Sequence, residues 1–245
     1  MEHDMPVEGL YRSSIRVELV PGSRKLYLVF GGMQGALGMP PFEFYRSSKI
    51  LDESRIFFRD LTQTWYHTGL PGLTRDIPET AQYIRSLIDR AAPEEVVFLG
   101  NSMGGFAAIL FSSLIGCGTA IVFSPQTYIA WSKRRSTGDR RWRSRVLRTY
   151  GATLFKPRFF DLRHLLRDSG AGNRVEIFVS SLDQLDLAHA DNLAGFENVR
   201  ITVRDYGGHN LVKHLRDTGE LQRILRGGRP DQTQPLSLSS SPVRS

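Results

Sequence analysis

The chain has 245 residues, 40% hydrophobic and 23% charged, a balance that suits one large domain and excludes wholesale disorder. Thirty-two Lys and Arg against 25 Asp and Glu leave a formal charge of +7, compatible with nucleic acid, a membrane surface or an acidic partner. Cys117 is the only cysteine, which excludes an intrachain disulfide and a Cys-based zinc cluster.

From Met1 to Val20 the chain carries Glu2, Asp4, Glu8, Arg12, Arg16 and Glu18 with no apolar core. It does not read as a secretory leader, so residues 1–13 are expected to be an extension and the cytoplasm the location. Short β-branched or aromatic runs predict strands at Ile15–Val20, Lys25–Phe30, Arg55–Phe58, Val96–Leu99, Thr119–Phe123, Val175–Ser180 and Val199–Val203. Ile77–Ala91 has helical apolar spacing, with Asp76 as a cap and Pro78 in the first turn. Leu187–Leu193 and Leu211–Leu225 are further helix candidates. Strands alternating with helices predict an α/β fold, a mostly parallel central sheet with helices on both faces.

Val96 to Ser132 contains no charged side chain, as a membrane span would. Gly100, Asn101, Gly104 and Gly105 would break a spanning helix, however. The pieces VVFL, NSMGG, FAAILF and TAIVF read instead as strand, turn, helix and strand at a sheet centre buried on both sides. Residues 125–168 fall where a small helical cap inserts between two strands, within a domain spanning 14–226. Residues 227–245, rich in Gly, Pro, Ser and Gln, read as a disordered tail.

Gly100-Asn101-Ser102-Met103-Gly104 matches the G-x-S-x-G elbow, in which a serine stands on a tight turn from strand to helix with its hydroxyl exposed above the sheet. A plain Gly/Ser connection is the competing reading. A serine needs a base. Of six histidines, His209 follows the strand VRITV on a loop opened by Gly207 and Gly208, on the same sheet edge as Ser102. His3, His67, His164, His189 and His214 lack that placement. The orienting acid belongs after the strand VEIFVS, where Asp183 is preferred for its offset and Asp186 is the rival; Asp205 is a weaker option. Asp186 is read alternatively as a helix cap. An oxyanion hole would draw on the N–H of Met103 and on that of Gly32 or Met33, after LYLVF. No phosphate-loop lysine follows those glycines. No metal and no cofactor are expected. Trp65, Tyr66 and His67 line a pocket or, as the preferred reading, pack as a loop on aromatic rings.

The elbow GNSMGG, the FGGM loop and the order Ser102, Asp183, His209 together resemble the α/β-hydrolase superfamily over residues 14–226. The resemblance implies acyl transfer: Ser102 attacks a carbonyl, His209 moves the proton, and water or another acceptor resolves an acyl-enzyme. The sequence departs from many esterases in reading Phe30-Gly31-Gly32 where those carry a His-Gly pair. The leading expectation is a serine esterase or thioesterase acting on a small-molecule or carrier-bound acyl substrate, with an acyltransferase as the alternative. A catalytically dead hydrolase fold serving as a partner domain is a further reading. From a different class comes a non-catalytic module binding nucleic acid or an acidic protein through the basic segment 131–148. Residues 131–150 hold eight basic side chains and one acid, Asp139, and so account for the whole net charge of +7. Beside a substrate entrance, Arg140, Arg141 and Arg143 would favour anionic substrates.

Overall fold

The computed structural model describes residues 13–33, 44–154, 158–170 and 172–227. The terminal extension and tail lie outside the described residues, Ser13 and Gly227 excepted. Seven strands form one sheet: β1 (Ile15–Glu18), β2 (Lys25–Phe30), β3 (Ser54–Phe58), β4 (Glu95–Asn101), β5 (Thr119–Phe123), β6 (Arg174–Ser180) and β7 (Val199–Arg204). Their order is β1-β3-β2-β4-β5-β6-β7, with β1 antiparallel to β3 and every other pair parallel.

The uncharged central stretch follows from this order. Along β2, Leu26, Leu28 and Phe30 enter one core with Phe98, Val122 and Ile177, while Tyr27 and Val29 enter the other with Leu99, Ile121 and Phe178. Both faces are covered, so neither set of alternating side chains meets water. The larger core is closed by α2 (Ile77–Ala91) and α3 (Met103–Ile115), the smaller by α8 (Leu211–Asp217) and α9 (Glu220–Leu225). No described helix is long and apolar enough to cross a membrane.

The helix α2 has the predicted limits, with the Asp76 carboxylate accepting from Glu79 N–H and Pro78 in its first turn. The single helix expected over Leu211–Leu225 is instead α8 and α9, because Gly219 between them sits at φ 77°. Before β3, α1 (Tyr45–Ser48) is one turn long. Among the described residues of 125–169 there are three helices. Of these, α4 (Trp131–Thr137) and α5 (Arg143–Ala152) are additions, whereas α6 (Leu162–Ser169) packs on α3 as the crossover between β5 and β6.

The chain runs from β2 outward to β3, then returns to the other side of β2 with β4. Connections therefore diverge at the C-terminal ends of β2 and β4, where a crevice opens in sheets of this kind. Phe30 and Gly100 are register partners at that point. The glycine loop after β2 and the serine turn after β4 are thus neighbours.

Candidate active site

Ser102 stands between β4 and α3 at φ 53°, ψ −116°, a conformation no ordinary L-residue prefers. The backbone around it holds the turn: Ser102 N–H donates to Phe123 O at 3.0 Å, and Ser102 O accepts from Phe106 N–H and Gln126 N–H at 3.1 Å each. The flanking glycines are required by contact. A Cβ on Gly104 would stand 2.2 Å from Phe30 O, and one on Gly100 2.1 Å from Gly104 O. The first turn of α3 therefore lies directly against the ends of β2 and β4. Ser102 caps the helix with backbone only and is 5% exposed. As the first residue of α3, Met103 has an N–H with no acceptor inside the helix.

His209 lies on a single 3-10 turn, Gly208–Asn210, reached from β7 through Gly207 at φ 85°. Its Nδ1 is 2.8 Å from Asp186 Oδ2 and 3.0 Å from Oδ1. Asp186 is on α7 (Gln184–Asp191), with its side chain 1% exposed, and His209 is 34% exposed at its side chain. The hydrogen bond to Asp186 raises His209 above the ordinary imidazole range, against the opposing effect of burial. Burial alone would raise Asp186; its bonds to His209 and Arg141 outweigh this and hold it below the usual carboxylate range.

The structure sets Asp186, and not the preferred Asp183, against the imidazole. Asp183 is the N-cap of α7, its Oδ1 accepting from Leu185 N–H at 3.0 Å and Asp186 N–H at 2.9 Å. The cap starts α7 at Gln184, ahead of the expected Leu187. One turn into that helix, Asp186 points at the imidazole instead. Asp205 is exposed. Asp183, Asp186 and His209 offer three ligand atoms within 4.8 Å of one another; Asp183 Oδ1 serves the cap, and Asp186 is bonded to His209 and to Arg141, whose Nη1 is 2.8 Å from Asp186 Oδ1.

After β2, Gly31 N–H donates to Phe58 O at 2.9 Å, and Gly32 and Met33 follow it towards the serine turn; Gln34 and Gly35 lie outside the described residues. The Tyr66 hydroxyl is 3.1 Å from Gly31 O, bracing this loop from behind. Trp65, Tyr66 and His67 are buried, as the packed-loop reading expected. Gln63, Trp65 and Tyr66 all have φ above +50°, and the Asp60 carboxylate holds them by accepting from the N–H groups of Thr62, Gln63, Thr64 and Tyr66 at 2.6–3.0 Å. Trp65 Nε1–H donates to Gln126 Oε1 at 2.7 Å, tying the loop to the residue that braces Ser102.

His67 carries its proton on Nδ1, which lies 2.9 Å from Thr64 O. Burial depresses its pKa to about 4. A second proton, on Nε2, is bound by the unfolded chain below an ordinary value near 6.5 and by the folded chain only below about 4. Stability should therefore fall by about 3 kcal/mol between those two pH values through this group. Urea unfolding of wild type and His67→Gln at pH 7 and 4.5 should show a smaller acid loss in the variant; equal losses would contradict the assignment.

The basic segment is not uniformly a surface. Arg134 is buried and Arg141 mostly so, and both pair with Asp139, whose side chain is fully covered. Arg141 thus faces inward, where the sequence suggested an anion contact, because the lone acid of the segment draws it in. Arg135, Arg140, Arg143 and Arg148 are exposed. His189 is buried on α7, His164 and His214 are exposed, and His3 lies outside the described residues. Sequence reasoning missed Arg141 and Asp139 as neighbours of the site; the signal was one carboxylate among eight basic side chains.

Fold comparison agrees with this topology. The capsule O-acetyltransferase of Neisseria meningitidis serogroup A is similar over 84% of this chain and 88% of its own, at 15% identity and a TM-score of 0.62. MGS-MChE2, an α/β hydrolase from a sediment metagenome of the Mar Chica lagoon, Morocco, is similar over 87% of this chain and 93% of its own, at 14% identity and 0.52. The chain has the α/β-hydrolase fold. The hydrolase olei00960 from Oleispira antarctica is similar over 89% of this chain and 95% of its own, at 15% identity and a TM-score of 0.51. No protein-family model and no curated protein sequence matches the chain.

Proposed function

We propose that this α/β-hydrolase chain is a serine-dependent acyl-transfer enzyme that cleaves an ester or thioester. The observation that carries the reading is the buried Asp186 paired with His209 Nδ1 at 2.8 Å, together with a serine strained to φ 53° at a helix start. With Nδ1–H donated to Asp186, Nε2 is the free base. In the proposed cycle the Ser102 hydroxyl adds to the substrate carbonyl as His209 Nε2 takes its proton. Asp186, the acid in this reading in place of Asp183, steadies the imidazolium. The N–H groups of Met103 and of Gly32 or Met33 receive the developing oxyanion. The tetrahedral adduct collapses, His209 returns the proton to the leaving alcohol or thiol, and an acyl-Ser102 ester remains. Water or an acceptor hydroxyl, deprotonated by His209, then releases the acyl group.

Transfer to an acceptor other than water is a reading the comparison favours, since the capsule O-acetyltransferase superposes at a TM-score of 0.62 against 0.51 and 0.52 for the two hydrolases. The exposed arginines at 135, 140, 143 and 148 suit an anionic small-molecule or carrier-bound acyl donor. A buried acid–imidazole pair and a strained serine, both after strands of one parallel sheet, support the catalytic reading over a non-catalytic binder. Native protein treated with a fluorophosphonate should carry one adduct, on Ser102 by peptide mapping, and Ser102→Ala should carry none. Absence of serine-dependent labelling in the native protein would sink the proposal.

A further inference from the structure

The loop of residues 138–142, between α4 and α5, reaches the candidate acid Asp186 through Arg141. Asp139 accepts from Arg141 N–H at 2.8 Å, from Arg141 Nε–H at 3.2 Å, and from Arg134 Nη1–H at 3.3 Å. Arg134 Nη2–H also donates to Arg141 O, pinning the loop backbone. The Arg141 guanidinium then spans two carboxylates, Asp139 through Nε and Asp186 Oδ1 through Nη1 at 2.8 Å.

The same loop grips α7 a second time. Thr127 N–H donates to His189 Nδ1 at 3.1 Å, so that nitrogen carries the lone pair and Nε2 carries the proton. His189 Nε2–H donates to Asp139 Oδ2 at 3.2 Å, and burial keeps this imidazole neutral. Tyr128 stacks on its ring at 3.9 Å between centroids. Asp186 and His189, three positions apart on α7, share a helix face, and that face is held by Arg141 and Asp139 at once.

We propose that Asp139 and Arg141 are a positioning pair for the acyl-transfer site, holding the Asp186 carboxylate in line with His209 and sharing its negative charge. The proposal rests on the triad reading given above. Without Arg141, Asp186 Oδ1 would keep only its 3.0 Å contact to His209, and the carboxylate would be free to turn. The groups whose charge reaches His209 are Asp186 and Asp183 from α7 and Arg141 from the loop; the first and last oppose each other. Asp139 acts one step further out by neutralising Arg141. Removing the two partners of the pair should therefore have opposite effects on His209, which loss of packing alone would not produce.

The test combines NMR titration of the His209 imidazole with pH profiles of kcat/KM on p-nitrophenyl acetate, in wild type, Arg141→Gln, Arg141→Lys and Asp139→Asn. Arg141→Gln should raise the His209 midpoint by about one pH unit. The acid limb of kcat/KM should rise with it, and kcat should fall about 10- to 100-fold with little change in KM. Arg141→Lys keeps the charge and should restore the midpoint and part of kcat. Asp139→Asn keeps an acceptor but frees the Arg141 charge, so its midpoint should fall. An unmoved midpoint in folded Arg141→Gln, or shifts of the same sign in Arg141→Gln and Asp139→Asn, would overturn the proposal. Shifted midpoints with Ser102→Ala as active as wild type would support the coupling and refute the serine mechanism beneath it.

Discussion

Asn in place of Asp186 is expected to lower kcat about 10⁴-fold, while Asn in place of Asp183 leaves turnover nearly intact. The Asp186 carboxylate accepts from two sides, His209 Nδ1–H at 2.8 Å and Arg141 Nη1–H at 2.8 Å. An amide has one accepting oxygen, so its NH2 group must confront either the imidazole or the guanidinium. Facing the imidazole, it selects the tautomer whose Nε2 carries the proton and cannot act as base. Facing the guanidinium, it leaves a mostly buried charge half-paired at a cost of about 1–3 kcal/mol. Asp183→Asn is mild because Asn caps helices as well as Asp does, and the bonds from Leu185 and Asp186 N–H survive. Steady-state kinetics on any ester that wild type turns over decides the matter. Loss of turnover in Asp183→Asn alone would reverse the assignment.

Gly104→Ala should destabilise the fold by about 4 kcal/mol or more, a large share of the roughly 5–15 kcal/mol that holds a domain of ordinary stability. The added Cβ would lie 2.2 Å from Phe30 O and 2.9 Å from Phe30 C. Those are backbone atoms of a strand paired on both sides, so no side chain can swing away to admit it. Gly151 in α5 is the control, since a Cβ there meets nothing within 4 Å. Gly151→Ala should stabilise by about 0.5–1 kcal/mol, the usual helical difference between the two residues. Urea midpoints of both variants report the contrast, and a Gly104→Ala protein as stable as wild type would mean that α3 does not press on β2 this way.

Most of the sheet was readable because strands buried on both faces must be continuously apolar, and Leu26 to Phe30 or Val97 to Leu99 have no other use for such runs. The elbow was readable for a related reason: GNSMGG places glycine where backbone must meet backbone, and that demand is local. The long helix expected over Leu211–Leu225 failed at Gly219, whose positive φ ends α8 and which apolar spacing does not register. Placement of Trp65 and Tyr66 inside the core depended on the Asp60 carboxylate, a bond pattern invisible to composition.

Sequence order alone determined that Ser102 and His209 follow strands of one parallel sheet and hence share an edge, because every parallel strand delivers its C-terminal end to the same side. Which of Asp183 and Asp186 faces the imidazole was visible only in the tertiary structure. Both carboxylates follow β6 within one helical turn, and the offset from the strand cannot say which of them spends itself on the helix end. The net charge was decided in the same way. Counting assigned the excess of +7 to residues 131–150, but two of its arginines turn inward because Asp139 and Asp186 are buried within reach and a buried carboxylate requires a cation.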